Sequence, residues 1–333
     1  MGLNKRLIDQ AGAAGGGLGD PTDNFDIVTY SGNGGTQSIS LDFQADLIWT
    51  KNRTNDNPHM LSDSIRGFTK SISTNRNDAE SSYFGTNQKI QNVTSSGYEV
   101  YTPSNGYGEI NGTGYDYVAW CFKGGGAEVS NTDGGITTNV SANPDAGFSI
   151  IEYQGAGGGG STGTGLSSPV ELMIVKRYTS VQEVYLFQGS GTGTWNSFQM
   201  NSTAASTSRS VTVTNSTIQI PAAGDFNSDP NSRYIAYCFH SVDGYQKVGS
   251  YTGNGGTQSI TLGFSPRFVM WKATNNVENF YMMDSVRGEN NVLYADGNFA
   301  EGTSLGVSFT PTGFTLTGSF NASGINYLYL AIA

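Results

Sequence analysis

The sequence predicts an all-β protein built from tandem antiparallel β-sandwich or jelly-roll modules, and three observations carry that expectation. Short apolar runs alternate with clusters of Gly, Asn, Ser and Thr, the punctuation of strands and turns. Glycine accounts for 46 of 333 residues while aromatic residues stand at 12% and charged ones at 13%. The chain is therefore turn-rich yet able to build a core, whereas disordered chains are poor in aromatics and rich in charge. The third observation is internal repetition. Tyr30 to Gly67 and Tyr251 to Gly288 align without a gap at an offset of 221, with 17 identities in 38 positions.

Residues 1–24 read as an N-terminal anchor, short and extended or helical. Leu3 to Ala14 is its one amphipathic stretch, too short to be a stable helix alone. Residues 25–126 form the first sandwich copy, opening at Phe25-Asp26-Ile27-Val28-Thr29-Tyr30. A Gly/Asn/Thr-rich linker is expected over 127–146. The second copy, 147–243, opens in the same way at Phe148-Ser149-Ile150-Ile151-Glu152-Tyr153 and runs almost directly into the third, 244–333. Each copy carries an apolar segment ending in lysine, at Lys51, Lys176 and Lys272. Each closes on a related strand, Tyr117 to Cys121, Tyr234 to Cys238 and Tyr329 to Ala333. Val211, Val213, Ile218 and Ile220 alternate with polar residues, as do Phe314 and Leu316, the period of half-buried strands.

A net charge of −10 and a pI near 4.6 argue against a nucleic-acid groove or an anionic membrane surface, both of which call for a basic patch. The longest apolar run, Tyr327 to Ala333, is seven residues, against roughly twenty for a membrane span. The first residues contain no signal-peptide core, and Arg6 stands where a myristoylation signal needs Ser or Thr. Cys121 and Cys238 are too few for a disulfide framework and lack zinc-site spacing.

The local motifs read as structure. Gly155, Gly157 and Gly160 match a dinucleotide-loop spacing, but no helix follows to receive a phosphate, so the reading is a hairpin loop. Asp225, Asn227 and Asp229, and the cluster Asp20, Asp23, Asn24 and Asp26, lack the glycine and distal glutamate of a calcium loop and read as solvated turns. Asp63/Arg66 and Asp284/Arg287 are expected to staple repeated turns. His59 and His240 could titrate near neutrality, yet His59 falls opposite Phe280 in the repeat. Glu99, Glu109, Glu152 and Glu171 show no spacing that pairs them. No catalytic constellation, metal site or cofactor is expected. Tyr101, Tyr107 and Tyr115, set among Gly, Ser and Asn, are the candidate ligand-binding residues, since aromatics among small polar residues suit recognition loops.

The opening Phe-x-Ile-Val-x-Tyr-x-Gly-x-Gly, Lys51-Asn52-Arg53, the Asp-Ser-x-Arg-Gly turn, and Tyr117-Val118-Ala119-Trp120-Cys121-Phe122-Lys123-Gly124-Gly125-Gly126 with Ser130 to Gly134 together resemble repeat-containing virion and tail fibre proteins of tailed bacteriophages, particularly aquatic ones. The resemblance covers about Asn24 to Ala333. It implies β-sandwich modules related to lectin-like jelly rolls, carried by a non-enzymatic virion protein, a tail fibre or spike component assembled in the host cytoplasm. Residues 1–24 would bind another virion protein of the tail or capsid, host-surface glycan would be the ligand, and the assembly would be a homotrimer. Runners-up are a capsid decoration or head fibre protein and a polysaccharide depolymerase on the same scaffold. A cellular adhesin is disfavoured by the missing export signal.

Overall fold

A computed structural model describes residues 20–80, 89–102, 108–220, 227–303 and 306–333. The chain is all-β, with every strand pairing antiparallel in a series of sheets. Of the expected anchor, residues 1–19 lie outside the described residues. From Asp20 onward it is a single 3-10 turn, Pro21–Asp23, with Asp20 accepting the Thr22 N–H at 3.0 Å.

The first copy contains β1 (Phe25–Ser31), β2 (Thr36–Ser40), β3 (Leu47–Asn52), β4 (Met60–Asp63), β5 (Lys89–Thr94), β6 (Gly97–Tyr101) and β7 (Asp116–Phe122). An inner sheet, β1-β7-β3-β4, packs on an outer sheet, β2-β6-β5. Two strands follow, β8 (Val129–Asn131) and β9 (Thr138–Asn143).

The second copy contains β10 (Phe148–Gln154), β11 (Gly160–Gly163), β12 (Leu172–Arg177), β13 (Val184–Gln188), β14 (Gly193–Gln199), β15 (Thr207–Val213), β16 (Thr217–Ile220) and β17 (Arg233–Phe239). The third contains β18 (Gln246–Thr252), β19 (Gln258–Thr261), β20 (Phe268–Ala273), β21 (Tyr281–Asp284), β22 (Asn291–Tyr294), β23 (Gly302–Thr303), β24 (Val307–Thr310), β25 (Gly313–Leu316) and β26 (Asn326–Ile332). It repeats the two-layer plan, β18-β26-β20-β21-β22-β23 over β19-β25-β24.

The stretch expected to be a linker holds two strands. β8 and β9 extend the second copy's sheet through β9 pairing with β10. In that copy β14 joins the two layers, giving the order β11-β16-β15-β14-β13-β12-β17-β10-β9-β8. The ends of this long sheet nearly meet. Ile136 N donates to Ser161 O at 2.9 Å and Thr138 Oγ1 to Gly163 O at 3.0 Å. Polar residues in 127–146 disguise these strands because β8 is a solvated edge that needs no apolar face.

Strand register also corrects the third closing strand. Tyr30 pairs with Tyr117, Tyr153 with Tyr234, and Tyr251 with Tyr327. The rings of each pair stack, with centroids 5.1, 5.2 and 4.8 Å apart. The third strand therefore aligns from Tyr327 rather than Tyr329. The slip is two residues, which leaves each side chain on its expected face, so alternation alone could not expose it.

The central strands are buried along nearly their whole length, as in β3, β7, β12, β17, β20 and β26. Both faces are covered, which is why the sequence shows continuous apolar runs there. In the first copy Ile48, Ala119 and Cys121 face the outer sheet, whereas Leu47, Trp49, Trp120 and Phe122 face the other two copies. The second copy divides likewise, with Met173, Val175 and Ala236 inside its sandwich and Leu172, Ile174 and Tyr237 in the shared core. At one pole Phe25, Phe122, Phe148, Phe239 and Phe268 interlock with centroid distances of 4.8 to 6.0 Å. The three copies thus form a closed ring around a common core and, among the described residues, share no strands.

Candidate functional site

The ring is built by repeating one seam. The three lysines are buried, and each Nζ donates to a carbonyl of the preceding copy: Lys176 to Arg76 O at 3.4 Å, Lys272 to Thr203 O at 2.8 Å and Lys51 to Asn298 O at 3.1 Å. Each also donates within its own copy, to Gln182 O, Glu278 O and Asn52 O. Two residues or so beyond each lysine a carbonyl accepts a backbone N–H from the same neighbour. These bonds are Glu80 N to Tyr178 O at 2.8 Å, Ser206 N to Thr274 O at 2.9 Å and Glu301 N to Arg53 O at 2.7 Å. The order first to second, second to third, third to first closes a pseudo-threefold cycle. Burial lowers Lys51 to about 7 and Lys176 and Lys272 to about 8, because an ammonium in low dielectric loses its hydration.

The Asp/Arg turns sit on these seams. Asp63 and Arg66 pair at 2.6 Å, as do Asp284 and Arg287, all with side chains out of solvent. Each aspartate also caps its own turn by accepting the arginine N–H at 2.9 Å. The turn closes on Gly67 and Gly288 at φ of 86° and 93°, a left-handed conformation that glycine adopts without a Cβ clash. Beyond their own copies, Tyr237 donates to Asp63 at 2.8 Å and Trp120 to Asp284 at 3.1 Å. Trp120 and Tyr237 hold equivalent positions in the closing strands, opposite Ile27 and Ile150. The third equivalent is Leu330, opposite Val248. It has no donor, and the copy that would face it lacks the acid–arginine turn. Polar turn and donor-bearing strand are kept or lost together.

Sequence reading missed one partner in this network. The offset of 221 carries Glu80 to Glu301. Glu301 accepts from Arg53 at 2.7 and 3.0 Å and from Arg287 at 2.7 Å, joining the first and third copies. Burial would raise its carboxyl, but the two guanidiniums outweigh that and hold it below the usual range. At the same place the second copy has Ser206, consistent with its missing arginine. Extending the gapless alignment past Gly67 would have found the pair.

His59 is a wedge between copies. Its Nδ1 accepts the Trp49 indole N–H at 2.9 Å and its Nε2 lies 2.9 Å from Tyr294 O, so the neutral Nε2–H tautomer fits. Burial, reinforced by Lys51, lowers it to about 3. It is held neutral and is no candidate base. Cys121 and Cys238 are buried between sheets, and burial pushes both thiols up, Cys238 to about 12. Glu152 is engaged by Arg233 and Tyr178, and Glu171 by Ser241.

Asn227, expected in a solvated turn, is buried and donates to Gly158 O while accepting from Ala156 N, tying down the glycine hairpin. Asp225 lies outside the described residues. Asp26 of the N-terminal acidic cluster pairs with Arg267 of the third copy at 2.6 Å. Among the described residues no group of three or more His, Cys, Asp or Glu converges as a metal site.

At the pole opposite the phenylalanines, where β3 ends, a depression of about 590 Å³ opens between the copies. The first copy supplies Asp56, Pro58, Asn75 and Arg76, the second Asn201 to Thr203, and the third Asn279 and residues 296 to 299. These are the segments whose carbonyls the lysines hold, so the lysine ring shapes the wall without lining it. The repeat is not preserved in the lining: Asn75 corresponds to Asp296, Arg76 to Gly297 and Asp78 to Phe299. Burial raises Asp296 to about 6. Phe299 is 52% exposed. A polar wall of carboxylates and carboxamides drawn from all three copies, with one exposed aromatic ring, can hold a small hydroxylated ligand.

The expected binding tyrosines are not in this lining. Tyr107 lies outside the described residues. Tyr101 ends β6, opposite Thr36, and Tyr115 accepts the Gly32 N–H at 2.8 Å, so both are half-buried beside the 32–36 turn on the first copy's flank.

Fold and seams define an all-β repeat protein in which one chain closes a pseudo-threefold ring. A family model described as a domain of unknown function (DUF7483) matches residues 20–333, and the chain belongs to that family. No curated protein matches the chain.

Proposed function

We propose that this chain is a structural protein of a tailed-bacteriophage virion, a tail fibre or spike component that docks through residues 1–24 and binds host-surface glycan without turning it over. The observation that supports this reading is the polarity of the ring. Residue 25 enters at the phenylalanine pole, and the polar depression opens at the other. An anchor at the first pole directs the depression away from the particle. Three chains on one fibre axis, as the resemblance implies, would present three depressions.

A second reading has its own support. A single chain with pseudo-threefold seams suits a threefold position of a capsid lattice, so decoration of the head is the alternative. Electron cryomicroscopy of the intact particle tests both. Density at the tail with Asp20 toward the particle is the expected result, and density over the capsid replaces attachment with decoration. Release of reducing ends from host polysaccharide would overturn the non-enzymatic part of the proposal.

A further inference from the structure

We propose that the axial depression is the seat of a hydroxylated, non-anionic sugar residue, an inference that deepens the attachment reading and rests on it for the identity of the ligand's source. Two features of the wall choose this chemistry. Asp56 and Asp296 place carboxylates on it, and Arg76 is paired with Asp78 at 2.5 Å. The wall is therefore rich in acceptors and repels anions, which excludes uronic and sialic acids and phosphorylated sugars. Phe299 offers an exposed ring at the rim, the flat apolar surface on which the C–H face of a pyranose stacks.

The site belongs to the assembled ring. Each copy contributes a different side chain at equivalent backbone positions, so one asymmetric ligand is selected where three identical walls would offer three equal poses.

The test uses saturation-transfer NMR on the full chain with methyl galactoside, methyl glucoside, glucosamine and glucuronate as probes. Transfer to at least one neutral or amino sugar and none to glucuronate is expected, with binding roughly tenfold weaker in Phe299→Ala. Phe299 is exposed, so this variant keeps its unfolding temperature, and Val129→Ala, exposed elsewhere, keeps full binding. No transfer to any probe, equal transfer to glucuronate, or undiminished binding in Phe299→Ala overturns the proposal. Because the measurement uses isolated protein, it fails or succeeds independently of where the chain sits on a particle.

Discussion

The Trp120 indole N–H donates to the carboxylate of Asp284 at 3.1 Å, with Arg287 lying over the same indole at 5.5 Å from its centroid. The first copy thereby completes the third copy's buried ion pair, across 164 positions of sequence. A buried pair gains little over apolar packing, but breaking it strands a charge in low dielectric. Asp284→Ala should therefore cost about 3–5 kcal/mol, read as a shift of the urea midpoint. Trp120→Phe keeps most of the packing and removes one donor, so about 1–3 kcal/mol is expected. Equal losses for the two variants would contradict this division.

A shared core makes the copies unfold together. Truncating Phe122, which touches the rings of Phe25, Phe148 and Phe239, should cost about 3–5 kcal/mol and leave a single calorimetric transition. Three resolved transitions would describe independent modules on a string. Scattering gives a second check, since a compact chain of this length has a radius of gyration of about 20 Å.

The lysine ring sets a pH dependence. The three lysines bind protons less tightly folded than unfolded, with folded values near 7, 8 and 8 against 10.5 in the unfolded chain. Between those values the unfolded state holds more protons, so stability rises with pH. The penalty is complete below about 7 and relieved toward 10.5. Above about 10 the buried Tyr98, Tyr153 and Tyr237, whose hydroxyls burial holds protonated, oppose the trend. Melting temperature should climb from pH 7 to 9.5, and Lys51→Met should flatten that slope. An unchanged slope in the variant would remove Lys51 as its source.

Arg53 and Glu301 meet in a bidentate pair across the seam between the first and third copies, and neither is fully shielded. A double-mutant cycle with Arg53→Ala and Glu301→Ala should return a coupling of roughly 0.5–3 kcal/mol. Strict additivity would mean that backbone bonds alone hold that seam.

Neither thiol should react with Ellman's reagent until the protein unfolds, because burial raises both and shuts out the reagent. Rapid modification of the folded chain would require an opening of the sandwich between β7 or β17 and its outer layer.

Much of this fold was legible residue by residue. The alternation of Val211 and Val213 with Thr and Ser marks a strand because a pleated backbone turns successive side chains to opposite faces. The Asp-Ser-x-Arg-Gly turn announces its own ion pair, since three residues of separation bring both charges together. The depression was not legible. Its lining is polar, varies between copies and comes from segments that look like ordinary loops, while Tyr101 and Tyr115 drew attention through composition alone.

The sequence by itself determined three copies, their antiparallel strands and the charged turns, because repetition and period-two patterning are local and survive without knowledge of neighbours. Only the tertiary structure decided that the copies close into a ring, that the segment 127–146 completes the second copy's sheet, and that one pole carries a shared depression. Those outcomes rest on contacts such as Lys51 to Asn298, 247 residues apart. A lysine that will be buried by a distant carbonyl is written in the same letter as one left in water, and what distinguishes them is the core that brings the two segments together.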